Sequence, residues 1–440
     1  MKRIIISAFL LGAFLFSSCK KYLDIEPVGR IIPEKAEDYR NLLTSAYSVF
    51  PRHKALLALR TDEVVLNEFS DDMIYNRDIY TWNDAGADPA TTPIPYQTFY
   101  QTIFYANNII AEAEIKAGKS ADVEQIVGEA YLLRAYCHFE LLNLFAKPYN
   151  AATASTDRGV PVSTETDLEQ NYKPSSVAAV YEQVLKDISA GEALLTVTDY
   201  EAGKNYRFTK RAALALKTRV FLYRAEWSKA LEAAQQALQI NSRLEDLNVS
   251  GSRVPNSYLS AENIMSLENT LVSSVAKAIY IAPAFVNRYT ENKDLRRAKY
   301  FSRSGSRYNP LKTGSDDLKI TFRNAELFLT EAEAAYHTGN ESLAKESLLA
   351  LKVKRLTPDY YATESTRVNG LTGAALLTEI LNERARELAL EGHRWYDLRR
   401  TEQPELIHTY DGESIKLQKN DPRYTLRFPA SAIAVNPDLR

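Results

Sequence analysis

The sequence predicts a mostly α-helical fold: a scaffold of helical hairpins that carries an irregular, loop-rich face and a few short strands. Three observations predict it. Apolar residues recur at three- and four-residue steps through much of the chain, the spacing of one helix face. Two pairs of such stretches, 208–225 with 228–240 and 321–338 with 342–354, are separated only by short turns at Glu226-Trp227 and Gly339-Asn340. Each pair therefore folds back as a hairpin of the tetratricopeptide kind, although no fixed 34-residue period runs between them. Two long stretches, 51–97 and 241–318, are instead broken by turn-forming residues and hold no long helix.

Composition bounds the rest. The chain has 440 residues, 45% hydrophobic and 25% charged, which is ordinary for a globular protein with a sizeable core. Its net charge is −2 and it has no concentrated basic run, so nothing points to a nucleic-acid partner. Tyrosine is abundant, with 27 residues. Each is an apolar body with a polar tip, suited to cores and binding surfaces alike.

In chain order, residues 1–18 read as a signal peptide. Lys2 and Arg3 precede an apolar run over 4–16, and Ser17-Ser18-Cys19 closes it with small residues. The run is shorter than the roughly 20 residues that span a bilayer. Cys19 after small residues predicts lipidation at that cysteine, so the membrane is reached through an N-terminal lipid. Cys137 is then the only other thiol, and it falls on the apolar face of a predicted helix, as an inert core residue does. Residues 19–33, with Pro27 and Gly29, read as an extended tether.

Helix resumes over 34–50. In the 51–97 segment, Asp84 to Pro89 and Pro93-Ile94-Pro95 forbid a long helix. Helices over 99–116 and 122–145 form a first hairpin of about 99–147, the second keeping Val123, Ile126, Ala130, Leu133, Cys137, Leu141 and Leu144 at helical spacing until Pro148. Another helix covers 175–195. In the 228–240 arm, Ala230, Ala233, Ala234 and Ala237 supply the small residues a close-packed helix needs. Asn263 to Leu267 has the makings of a short strand. The last long helix is expected over 374–400, with Thr372 as its cap. Its charges are dense and of both signs. Glu383 with Arg386, and Arg394 or His393 with Asp397, stand at pairing distance, which predicts a surface helix laced with ion pairs.

Residues 386–400 of that helix, RELALEGHRWYDLRR, resemble the C-terminal signature of the SusD/RagB family of outer-membrane nutrient-binding lipoproteins. The stretches EAYLLRAYCHFELLNLFAKPY (129–149), AELFLTEAEAAY (325–336) and RYTLRFPASAIAVNPDLR (423–440) resemble further parts of the same family, the last its final strand and tail. The resemblance implies one domain over 34–440 after the leader and tether. It implies a cell-surface lipoprotein of the outer membrane that binds a nutrient and delivers it to a SusC-like TonB-dependent transporter. The ligand it implies is an oligosaccharide, with a peptide as the alternative, held on loops carried by the helical scaffold.

Sugar rings have apolar CH faces that stack on aromatic rings, while Asn, Asp and Arg fix the hydroxyls. Within the loops at 66–97 and 280–310, this favours Tyr75, Tyr80, Trp82 and Asn83 in the first and Arg288 and Tyr289 in the second as ligand-binding residues. No catalytic motif, metal-ligand spacing or cofactor loop is present in the five His and two Cys positions or elsewhere. Glu391 and His393 have the makings of an acid–base pair, but a structural role suits that helix better. Two readings from other classes remain open: a lipid-anchored hydrolase, which needs converging carboxylates, and a helical-repeat scaffold that binds only proteins.

Overall fold

The computed structural model describes residues 33–167 and 173–440. The signal peptide, Cys19 and all but the end of the tether lie outside the described residues.

The centre is the helix Ala121–Phe145, capped by Ser120, whose Oγ accepts the Val123 N–H at 3.3 Å. Nearly all of its side chains are buried, because helices Ala36–Ser48, Gln97–Ala117, Val177–Leu194 and Lys210–Tyr223 pack around it. A helix covered on all sides needs no polar face. Its approach to Val177–Leu194 is set by two glycines: a Cβ on Gly191 would lie 2.8 Å from the Gly128 carbonyl oxygen. Cys137 is buried there, and burial pushes its thiol pKa well up.

All three expected helix pairs pack together, Gln97–Ala117 on Ala121–Phe145 being the first. Lys210–Tyr223 pairs with Trp227–Ile240, and Asn324–His337 pairs with Glu341–Lys352. The hairpins stack because Asn324–His337 also packs on Trp227–Ile240, where Ala230, Ala233, Ala234 and Ala237 are buried. A helix not foreseen, Pro358–Asn369, follows with Pro at its first turn. The strands are short antiparallel pairs: Val64–Leu66 with Ile279–Ile281, Asn263–Met265 with Phe322–Arg323, Phe301–Ser304 with Arg307–Pro310, and Leu406–Tyr410 with Glu413–Leu417 among them. The expected final strand is absent. Residues 423–440 instead make the end of one tight turn, the helix Ala430–Val435 and a second turn.

The 374–400 helix is corrected in two respects. It is two helices, Gly373–Glu387 and His393–Arg400, broken where Leu390 (φ 59°) and Gly392 (φ 81°) take left-handed backbone. Glycine is required at 392 for a second reason: a Cβ there would lie 2.6 Å from the Lys54 side chain. Thr372 stands at the cap position, but its side chain makes no capping bond; Glu341 Oε1 accepts the Gly373 N–H instead, at 2.8 Å.

Nor is it a surface helix. Glu383, Glu387, Glu391, Arg384, Asp397 and Arg399 are buried. The expected Glu383–Arg386 pair forms at 2.6 Å. Arg394 turns away to Asp62 (2.7 Å), and Asp397 is taken by Arg384 and Arg400 rather than by His393. Glu387 gathers Arg296, Arg323 and Arg355; Glu391 gathers Arg323 and Lys312. These cations come from four separate segments, so the signature ties the irregular 288–312 region to the hairpins.

The loop-built face and two clefts

Residues 63–66 start the candidate face. The Val64–Leu66 strand registers against Ile279–Ile281, with Val65 opposite Tyr280. The ladder continues where the Asn67 N–H donates to the Ala278 carbonyl at 2.8 Å. The two segments expected to carry the ligand are thereby brought together, although Val65 and its partner Tyr280 are 215 positions apart. The tip of the Leu406–Tyr410 hairpin joins them: Glu68 Oε1 accepts the Asp411 N–H (3.3 Å), and the Tyr410 hydroxyl lies 3.9 Å from Met73 Sδ.

The expected ligand residues divide. Tyr75 is exposed on the helix Met73–Tyr80, and Asn83 is exposed in the turn after it, donating to the Gly86 carbonyl (3.1 Å). Arg288 is half-buried, with Asn382 on Nη1 and Asp62 on Nη2, both at 3.0 Å. Tyr80, Trp82 and Tyr289 are corrected to core residues, each with no more than 1% of its surface exposed. His408 stacks on both Tyr80 and Trp82, at 4.1 Å between centroids in each case. The Trp82 indole N–H donates to the Arg60 carbonyl (3.2 Å), and the Tyr289 hydroxyl to the Arg386 carbonyl (2.7 Å). Tyr80 and Tyr289 belong to an apolar cluster that fills the space under the loops, and Trp82 belongs to the central one.

The most exposed aromatic on this face is Phe69, 86% accessible, with its backbone N–H bound to Asn67 Oδ1. Its signal was local: a lone Phe in the polar run Asn67 to Asp72 has nothing of its kind to pack with. Tyr280 and Tyr308 complete the set, both partly exposed. Arg307 donates to the Tyr280 hydroxyl (3.0 Å) with its guanidinium 4.7 Å from the ring centroid, and Arg297 reaches the Tyr308 hydroxyl (3.0 Å). Beneath them Glu63 is buried. Burial pushes its pKa up to about 7, although its Oε1 accepts the Leu390 N–H at 2.7 Å.

Two concave sites lie elsewhere. One is a cleft of about 560 Å³ walled by Tyr47, Phe50, Tyr206 and Tyr258, with Asn205, Asn269 and Glu268 among its polar groups. Glu268 Oε2 accepts from Lys54 Nζ and the Tyr136 hydroxyl, each at 2.7 Å, while Oε1 has no partner among the described residues. The other, about 240 Å³, is polar and lined largely by Arg and Lys. The Glu391–His393 pairing has no place in either: Glu391 is held by Lys312 and Arg323, and burial pushes the His393 pKa well down. Among the described residues no cluster of His, Cys, Asp and Glu could hold a metal, and no helix is long and apolar enough to cross a membrane.

Two family descriptions match the chain, one after the other. Residues 21–222 match the SusD-like group described as "Starch-binding associating with outer membrane", and residues 280–436 match the SusD family. The chain belongs to the SusD/RagB family. This is a family of carbohydrate-binding proteins. A SusD-like protein of Formosa agariphila is 24% identical over 89% of this chain and 90% of its own. A SusD superfamily structure from Bacteroides thetaiotaomicron superposes with a TM-score of 0.77 at 22% identity, over 92% of this chain and 98% of that one. A structure named as a laminarin-binding SusD-like protein superposes with a TM-score of 0.63 at 20% identity, over 84% and 92%.

Proposed function

We propose that this SusD-family chain is an outer-membrane surface lipoprotein, anchored through Cys19, that captures a glycan on its loop-built face and hands it to a TonB-dependent transporter. The observation that carries the reading is the pairing of Val64–Leu66 with Ile279–Ile281, which puts Phe69, Tyr75, Tyr280 and Tyr308 on segments that meet. Exposed rings beside Arg307 and Asn83 offer stacking for sugar CH faces and donors for hydroxyls. The family's carbohydrate binding and the laminarin-binding relative favour a glycan over a peptide. Capture needs no bond to be broken, so no residue is assigned a catalytic role.

A second location is favoured by one feature. The Tyr206–Tyr258 cleft has ring walls and, in Glu268 Oε1, an acceptor without a partner. The test is a titration of the lipid-free chain with laminarin and a panel of neutral and acidic oligosaccharides. Phe69→Ala and Tyr75→Ala are run against Tyr258→Ala. Binding lost with the first two supports the loop face; binding lost only with Tyr258→Ala moves the site to the cleft. Release of shortened product would sink the capture reading.

A further inference from the structure

The 240 Å³ pocket is bounded by the helices Pro358–Asn369 and Gly373–Glu387 and by the 288–296 stretch. Five of its lining side chains are cations (Arg288, Arg296, Lys352, Arg367 and Arg386) and two, Asp294 and Glu364, are acids. Leu356 is its only aliphatic wall, so an apolar ligand gains little there.

The carboxylates that neutralise these cations occupy particular edges of them. Glu364 takes Nε and Nη2 of Arg367 at 2.9 and 2.8 Å, with Glu379 also on Nη2 at 2.8 Å. Glu383 takes Nε and Nη2 of Arg386 at 2.9 and 2.6 Å, with Glu379 also on Nη2. Arg288 spends Nη1 on Asn382 and Nη2 on Asp62. Three donor nitrogens are left over: Nη1 of Arg367, Nη1 of Arg386 and Nε of Arg288. None meets an acceptor among the described residues, and all three groups line one pocket. None is sealed from solvent: the side chains are 42%, 15% and 29% exposed in that order. Arg296 and Lys352, at the buried end, are each held by three carboxylates and supply charge rather than open donors. Asp294 and Glu364 are themselves bound, to Arg296 and to Arg367 with Lys352.

Guanidinium groups pinned by ion pairs are already oriented, so little freedom is lost when an acceptor arrives. Three arginines with open donors around one cavity match a group that only accepts: a carboxylate or a sulfate, whose charge-assisted bonds to Arg are about twice as strong as neutral ones. A neutral hydroxyl brings a donor of its own to a wall already rich in donors. We propose that this pocket binds the carboxylate or sulfate of an acidic sugar, separately from any stacking on the aromatic face. The choice of a glycan as carrier rests on the reading above; the anion site itself does not.

The test titrates the purified chain calorimetrically with tetragalacturonate, with sodium sulfate and with uncharged maltotetraose, alongside Arg367→Gln and Arg288→Gln. Both substitutions fall on partly exposed side chains, and unchanged thermal midpoints would show the fold intact. The expected result is saturable tetragalacturonate binding that weakens at least tenfold in each variant and falls with added salt. Sulfate binding as tightly as tetragalacturonate would assign the pocket to the free anion. No saturable binding of either anion, or binding that both variants leave unchanged, overturns the proposal. If Phe69→Ala abolishes neutral-glycan binding while Arg367→Gln changes nothing, the capture reading stands and this one falls. Anion binding without any glycan binding gives the reverse.

Discussion

Glu387 and Arg355 form a forked pair in the core, with Arg355 Nε 3.0 and 3.1 Å from the two carboxylate oxygens and Nη2 2.8 Å from one of them. Both side chains are fully buried, and Arg296 and Arg323 share the same carboxylate. Three neighbouring arginines hold the Glu387 pKa well below the ordinary carboxylate range despite burial.

Removing that charge takes one carboxylate from each of three buried cations, leaving Arg296 with Asp294 and Glu383, Arg323 with Glu262 and Glu391, and Arg355 with Glu262. Glu387→Gln is expected to cost about 3–5 kcal/mol, the usual penalty for breaking a buried pair from one side. Glu201→Gln, which breaks an exposed pair with Lys204, is expected to leave the midpoint nearly unchanged. Urea midpoints of the two variants check this. Because the folded pKa of Glu387 is depressed, its contribution is present above the unfolded value near 4.5 and is lost as pH falls toward the folded one.

Glu63 has the opposite sign. Its folded pKa is about 7 against 4.5 for the free side chain. The folded state binds the proton more tightly, so this residue costs nothing below pH 4.5 and destabilises progressively from there to about 7. Glu63→Gln keeps an acceptor for the Leu390 N–H. It is expected to raise stability at pH 7 relative to the parent, with no gain at pH 4, read from denaturation curves at the two pH values.

Trp82 and Phe69 separate packing from binding. Trp82→Ala removes a buried indole stacked on His408 and is expected to cost about 3–5 kcal/mol. Phe69→Ala removes an exposed ring and is expected to leave the thermal midpoint within experimental error while weakening glycan binding.

Gly392→Ala meets both left-handed backbone and the Lys54 side chain, whereas Gly118→Ala, also at positive φ, meets nothing within 4 Å. Gly392 (φ 81°, ψ 4°) is left-handed, a backbone term of about 1–2 kcal/mol, whereas Gly118 (φ 75°, ψ 167°) lies in a region adopted almost only by glycine and carries its own term of about 1–3 kcal/mol. The Gly392 variant is therefore expected to lose more than the roughly 1–2 kcal/mol of the backbone term alone, because the Lys54 side chain must also move, as read from urea melts against the parent.

Much of the helical scaffold was legible because helix periodicity and short turns are local properties. The 121–145 and 228–240 stretches, the two hairpins and the burial of Cys137 follow from spacing that any neighbour would have to respect. The family was legible in residues 386–400 for the same reason, as a contiguous string. The destination of the charges in that string was not. Spacing within one helix pairs Arg394 with Asp397, but Asp62, 332 positions away, approaches closer and with both oxygens.

The sequence by itself determined the fold class and the family, while the meeting of the 64–66 and 279–281 segments came from the fold. Tertiary structure alone decided which side chains on those segments are free to bind. His408 arrives from the far end of the chain to lie against Tyr80 and Trp82, and Arg386 supplies the carbonyl that takes the Tyr289 hydroxyl. An aromatic ring serves equally as core or as ligand platform, and only the segments packed over it fix which. The same holds for charge: Glu387 reads as a solvated helix residue until three arginines from distant segments converge on it and make its burial stable.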